Sequence, residues 1–254
     1  MIHTHYRGQS EICSGFANHL GQYAVARIIS QKTGYFLNSH KPGNFEDLIQ
    51  ENNSLILTND PLLVDKTIVD YEEVCKHQGQ IYLHGFFQDY VNFRPYKDYI
   101  KKFYYFPRIN ELYNDELIAV HVRLGEYLRD DFNLPIEYYI DVIKESKKSP
   151  VLYTDSPNSE YIKELSGVFN CQVKSNSEWQ DFIEIASYKT IAMSQSSYSW
   201  WSAWLSDAQT VYYPYTSKRY WQQIQIHTQY NSLMKKQQNT RFGVCRMSSR
   251  AKQD

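Results

Sequence analysis

Long hydrophobic runs are missing from this 254-residue chain. No stretch approaches the roughly 18 consecutive apolar residues that a membrane-spanning helix needs, and the first twenty residues lack a charged-then-apolar leader. Cysteine is scarce: Cys13, Cys75, Cys171 and Cys245 form no CxxC pair and lie too far apart for a dense disulfide framework. Charge of one sign is not in excess either, with 27 basic residues against 28 acidic ones. That balance excludes the broadly basic surface of a non-specific nucleic-acid binder, though not a single basic pocket. A cytoplasmic, reduced setting is the expectation, with attachment to the periphery of a membrane left open.

The signatures of covalent and metal chemistry are absent too. There is no glycine-rich P-loop, no GxSxG elbow and no HExxH helix. His3 and His5 could chelate together, but a pair at a chain end is expected to be solvated, and no metal is expected. Asn52-Asn53-Ser54 is a formal glycosylation sequon that carries little weight without a leader.

What is present in surplus is tyrosine, 23 residues against 12 phenylalanines. A ring with a polar tip suits strands, interfaces and sugar platforms alike. The segment from Phe16 to Lys32 has helical spacing, with Gly34 as its stop and Ser14-Gly15 as its entry loop. Short strands are expected at Tyr35–Leu37, Leu55–Thr58 and Ile81–His84, and a helix over Tyr96–Tyr104. From Leu117 onward the rhythm is clearer. Leu117–Arg123 reads as a strand buried on both faces. Strands at Val151–Thr154, Gln172–Val173, Thr190–Met193 and Thr210–Tyr213 then alternate with helices at Ile136–Lys147, Asn158–Leu165, Glu178–Tyr188 and Trp200–Leu205. Such alternation implies a parallel, doubly wound α/β sheet. The boundary between an N-terminal half (1–114) and a C-terminal half (115–234) falls near Tyr113–Asp115. The tail 235–254, with six basic residues and one acidic, is expected to be flexible or loosely docked.

Ligands of open parallel sheets bind beyond the carboxyl ends of the strands, and three segments reach that edge. His121 and Arg123 alternate with Val120 and Val122, so both face one side, and Gly125 permits a sharp turn or a close backbone approach. The fork of Arg123 suits a phosphate; an Arg123–Glu126 ion pair closing the loop is an equal alternative. Asp155 ends the next strand as a candidate nucleotide contact, with Ser156 or Asn158 as helix cap. The run Ser194–Ser199 holds more hydroxyls than one cap requires, which leaves Ser196 and Ser197 as candidate anion contacts. Trp200, Trp201 and Trp204 read mainly as packing against the sheet.

His121-Val122-Arg123-Leu124-Gly125-Glu126-Tyr127 resembles the H-V-R-R-G-D-Y motif of the α1,2-fucosyltransferases, family 11 of the glycosyltransferases. Ser14–Ala24 is similar to that family's G-G-L-G-N-Q-x-F-Q-Y-A, keeping Gly15, Asn18, Gln22, Tyr23 and Ala24. Tyr153-Thr154-Asp155 matches its strand ending in S/T-D, and Ser196–Leu205 resembles N-S-T-F-S-W-W-G-A-W-L. The resemblance implies two Rossmann-like lobes of the glycosyltransferase B type. It implies GDP-fucose as donor, a glycan acceptor, inversion at the fucose carbon, and no metal or other cofactor. Arg123 would hold the diphosphate with His121 in support, Asp155, Ser196 and Ser197 would meet the nucleotide, and Asn18 would face the donor sugar. Glu126 is the candidate general base. Leu124 and Glu126 depart from the motif's second arginine and its aspartate, and His19 and Gly21 depart from the first block.

Overall fold

The computed structural model describes residues 1–4, 15–39, 41–49, 60–214 and 242–246. The expected strand Leu55–Thr58, the sequon Asn52–Ser54, Ser14 and His5 lie outside the described residues. Those residues fall into two units, one running to Phe106 and the other starting at Pro107. The division lies eight residues ahead of the break read from the sequence. Residues between the two positions join the second unit: Ile109 N–H donates to Ser187 Oγ at 3.0 Å and the Tyr113 hydroxyl to the Asp207 carbonyl at 3.1 Å.

The first unit contains β1 (Ile2–Thr4), α1 (Phe16–Thr33), β2 (Leu37–Asn38), β3 (Leu62–Val64), α2 (Tyr71–Val74), β4 (Ile81–Leu83) and α3 (Lys97–Phe103). Its four described strands run parallel in the order β2-β1-β4-β3. The chain start is therefore no fraying end. Ile2 is fully buried between β2 and β4, and His3 stacks on Tyr82 with ring centres 4.5 Å apart. Helix α1 is buried almost all round, as a core helix must be when its apolar residues exceed one stripe. Its one buried cation, Arg27, pairs with Asp47 at 2.5 Å and lies 4.8 Å from the Phe103 ring centre, the company a buried charge requires. Gly34, at φ +71°, ends the helix in the left-handed conformation that glycine reaches without strain.

The second unit contains β5 (Leu117–Val122), α4 (Gly125–Arg129), α5 (Ile136–Ser146), β6 (Ser149–Thr154), α6 (Glu160–Phe169), β7 (Gln172–Lys174), α7 (Glu178–Ala186), β8 (Thr190–Ala192), α8 (Ser197–Leu205), β9 (Thr210–Pro214) and β10 (Phe242–Arg246). The strand order is β10-β9-β8-β5-β6-β7, with every neighbouring pair parallel except β9 and β10. The expected α/β alternation is present, in sheets parallel enough to be Rossmann-like in each unit. Two details differ from the sequence reading. Helix α6 is capped by Ser159, whose Oγ accepts from Ile162 N–H at 3.3 Å, and not by Ser156 or Asn158. The tail is not uniformly loose, because β10 pairs antiparallel with β9 and lays Phe242 against Tyr138 and Tyr212. Phe242 and Val244 are two apart, which puts both on one strand face toward the core.

Four of the nine described tyrosines of the first unit, Tyr23, Tyr35, Tyr90 and Tyr104, are core residues. Tyr104 is buried and donates to the Leu20 carbonyl at 2.9 Å, and Tyr35 donates to the His77 carbonyl at 2.8 Å. Tyr105, at the other extreme, is exposed.

Gly21 shows how closely the first unit is packed. A Cβ there would sit 2.6 Å from the Phe86 carbonyl oxygen, a backbone atom that cannot rotate away. Alanine favours helix by about 1 kcal/mol over glycine, whereas forced overpacking costs about 1–3 kcal/mol. The clash should win. Gly21→Ala is expected to lower the urea midpoint of unfolding, and an unchanged or raised midpoint would refute the close approach.

Candidate active site

Strands β5 and β6 lie side by side, with His121 opposite Tyr153 and Val122 opposite Thr154. Both therefore end at the same level, and Arg123 and Asp155 emerge together at the carboxyl edge. Arg123 Nη1 is 2.7 Å from Asp155 Oδ2, and Nη2 is 2.6 Å from Glu126 Oε1. The other Asp155 oxygen accepts from Leu124 N–H at 3.0 Å, while Gly125 N–H donates to Ser156 Oγ at 3.1 Å. The two strand tips are thus tied by side chain to backbone as well as by charge.

Gly125 makes that tie possible. Its φ is +26°, and a Cβ there would come within 2.8 Å of Asp155 Oδ2. The close approach expected from the sequence is realised, and what approaches is the carboxylate. Leu124 turns inward and is fully buried in the cluster that holds Leu134, Tyr138 and Tyr139. The position at which the family motif has its second arginine therefore serves the core here.

The Arg123–Glu126 ion pair read from the sequence is present, with Asp155 as a second partner of the guanidinium. The Arg123 side chain remains 30% exposed. Burial works against its charge, but the Glu126 hydrogen bond and the Asp155 charge outweigh this and raise its pKa above the ordinary value. For Glu126, burial pushes the carboxyl up while the hydrogen bond from Arg123 prevails and holds it below the usual range. A base works best with a pKa near the operating pH. The geometry gives Glu126 a different task from proton acceptance: it clasps Arg123.

His121 is held behind this edge. It is buried, with Nδ1 2.9 Å from Ser194 Oγ and 2.5 Å from Ser199 Oγ, and its ring centre is 5.0 Å from that of Tyr198. Burial, and then the nearby Arg123 charge, push its pKa down to about 3. The ring is neutral at physiological pH, so it supports by packing and hydrogen bonding and not as a second cation.

The serine run divides its work. Ser196 caps α8, its Oγ accepting from Ser199 N–H at 3.1 Å, and Ser194 and Ser199 engage His121. Ser197 is half-buried at the first helical position. The surplus of hydroxyls is thereby largely explained by the cap and the histidine. Trp200, Trp201 and Trp204 are all buried as packing residues, with Trp204 stacked on Trp200 and Trp201 edge-to-face against both. Sequence reasoning missed Ser194 and Ser199 as histidine partners; their five-residue separation, spanning strand end and first helical turn, is the only signal for it.

Asn18 belongs to the first unit. It lies in the first turn of α1 and not in a loop, and its Oδ1 accepts from Gln88 Nε2. The first unit also has a cavity of about 340 Å³ between β3 and α2, floored by Leu62, Val64, Val69 and Val74. None of the residues singled out in the sequence lines it. Among the described residues, no helix is long and apolar enough to cross a membrane, and no three His, Cys, Asp or Glu side chains converge as metal ligands.

The sequence profile of glycosyl transferase family 11 matches residues 69–238, two thirds of the chain. The chain belongs to this family. The match covers the blocks around Arg123, Asp155 and Ser196–Trp204 and begins after the block around Asn18. No curated protein and no solved structure matches the chain. For a family 11 glycosyltransferase, a cation at the carboxyl edge of a parallel sheet is the group suited to a sugar nucleotide's phosphates.

The state of His121 is open to measurement. Its folded pKa near 3 lies below the unfolded value of about 6.5. Below pH 6.5 the unfolded chain takes up a proton that the folded chain refuses. The His121 contribution to stability is therefore complete above about pH 6.5 and lost progressively toward pH 3, with a slope near 1.4 kcal/mol per pH unit. His121→Gln should flatten the pH dependence of unfolding across that window. A slope identical to that of the unaltered protein would contradict a buried neutral ring.

Proposed function

We propose that this family 11 glycosyltransferase moves L-fucose from GDP-fucose to a hydroxyl of a glycan acceptor, the 2-OH of a terminal galactose. The observation that carries the reading is Arg123, tied by Asp155 and Glu126 at the edge where β5 and β6 end. As the bond from fucose C1 to the phosphate oxygen breaks, negative charge grows on the departing GDP. A guanidinium already in place stabilises that charge without reorganising at the moment of reaction. The acceptor oxygen bonds to C1 from the opposite face, which inverts the carbon, and its proton passes to solvent or to a base that the proposal leaves unnamed. In this reading Arg123 carries the leaving-group charge without a divalent cation. His121 and Asp155 position it, the start of α8 at Ser196 and Ser197 faces the nucleotide, and Asn18 faces the donor sugar. Two lobes of the glycosyltransferase B type are the architecture that fits such a donor.

A second reading has one observation in its favour. Arg123 brings one positive charge against the two carboxylates of Asp155 and Glu126, so the cluster is net negative as it stands. A diphosphate must loosen one carboxylate to bind. A module that binds glycan or nucleotide without transfer, or a transferase with another nucleotide sugar, would fit a cluster that never opens to GDP-fucose.

Arg123→Lys separates these readings. Lysine keeps the charge but loses the planar fork, and transfer from GDP-fucose should fall by about 10²-fold or more. Transfer near the original rate would remove Arg123 from the donor role. Calorimetric binding of GDP by the unaltered protein, with no fucose transfer or release across a panel of galactosides, would favour the non-catalytic module.

A further inference from the structure

The two carboxylates that clasp Arg123 are held in different ways. Asp155 is fixed by groups other than the guanidinium: its Oδ1 accepts from Leu124 N–H at 3.0 Å and lies 3.4 Å from Ser156 Oγ, while Oδ2 pairs with Arg123 Nη1 at 2.7 Å. Its side chain is 27% exposed. Glu126 reaches Arg123 through one oxygen, Oε1, which accepts from Nη2 at 2.6 Å. It has no other hydrogen-bonding or ion-paired side chain among the described residues, and its side chain is 45% exposed. The charge of Arg129, three residues further along α4, also bears on it. A Glu126 that leaves Arg123 therefore turns to water and a second cation, whereas Asp155 remains tied where it is.

The guanidinium is planar, and its Nε–H and one Nη2–H point the same way along one edge, the fork that takes two oxygens of a phosphate at once. Glu126 uses one tooth of that fork, Nη2, and Nε has no protein partner among the described residues. A phosphate that takes both teeth makes two charge-assisted bonds in place of one. The exposed pair it replaces is weak, worth at most about a factor of five in an equilibrium constant. From this asymmetry we propose that Glu126 is an exchangeable counter-ion for the donor's diphosphate. It yields the Nε and Nη2 edge of Arg123 to a phosphate and takes Nη2 back as the diphosphate leaves, while Asp155 keeps Nη1 throughout. Asp155 then sets where the guanidinium points, and Glu126 sets how tightly the diphosphate is held and how readily it is released. The inference rests on the reading of Arg123 as the leaving-group cation and names the carboxylate that gives way.

The test is calorimetric binding of GDP and of inorganic pyrophosphate to the full chain and to two variants. Glu126→Gln is an exposed change of equal size that keeps an oxygen to accept from Nη2 and removes the competing charge. It should bind GDP about fivefold or more tightly than the unaltered protein, and GDP should inhibit transfer more strongly as a product. The gain should be confined to this variant, because Asp155→Asn loosens the anchor of Arg123. Unchanged or weaker GDP binding by Glu126→Gln would overturn the proposal. An equal or larger gain in Asp155→Asn would overturn it too, since that is the result of general charge relief. If the unaltered protein binds GDP and Glu126→Gln gains nothing, the exchange falls and the reading of Arg123 stands. Tighter pyrophosphate in Glu126→Gln without GDP binding would keep the exchange and reject a guanosine donor. If none of the three proteins binds either ligand, the reading of Arg123 and the exchange fall together.

Discussion

The clasp of Arg123 by Asp155 and Glu126 is the constraint on which the rest of the second unit turns. A guanidinium at a strand end is long and adaptable, and by itself it would sample many positions. Here its two outer nitrogens are held by carboxylates from two chain segments, and Asp155 also ties the Leu124 backbone. Gly125 is required at the turn because any side chain would displace Asp155. Leu124 is required to be apolar because its side chain goes into the core. The order of residue types after β5 thus follows from one ion-pair geometry: a cation at the edge, a core anchor, a residue without a side chain, and a carboxylate. The same clasp defines the electrostatic problem for the proposed diphosphate ligand, since two anionic groups already share the cation.

Behind the clasp, a neutral histidine is the complement of a charged arginine. Had His121 been protonated, two cations would have faced each other in a buried space. Burial and Arg123 together keep it neutral, and the hydroxyls of Ser194 and Ser199 satisfy its ring nitrogen. The hydroxyl-rich turn before α8 is in this sense part of the arginine's support, reached through one intermediate ring.

Much of the second unit was legible in the sequence because its rule is simple. Leu117–Val122 is a continuous apolar run, and strands of that kind alternating with amphipathic helices allow little besides a parallel sheet. The Gly125 approach and the packing of the tryptophans could also be read from residue type. Other features could not, since they depend on partners distant in sequence. The cap of α6 on Ser159 was not legible because Ser156, Asn158 and Ser159, all capping residue types, lie within four residues. β10 escaped notice because its pairing with β9 comes from a basic segment with only Phe242 and Val244 as apolar positions. Membership of glycosyl transferase family 11 was legible from short blocks, whereas the pairing of Ser194 and Ser199 with His121 became visible only in the fold.

The central claim is that Arg123 and its neighbours form the leaving-group site for a guanosine diphosphate sugar. The most direct measurement incubates the chelator-treated protein with GDP-fucose, GDP-mannose or UDP-galactose and a panel of galactosides. Nucleoside diphosphate release is followed, and product linkage is read by NMR. The account predicts release of GDP from GDP-fucose alone, coupled to a new α-linked fucose on the 2-position of a terminal galactose. Consumption of a different donor, or GDP-fucose left intact with every acceptor, would contradict it.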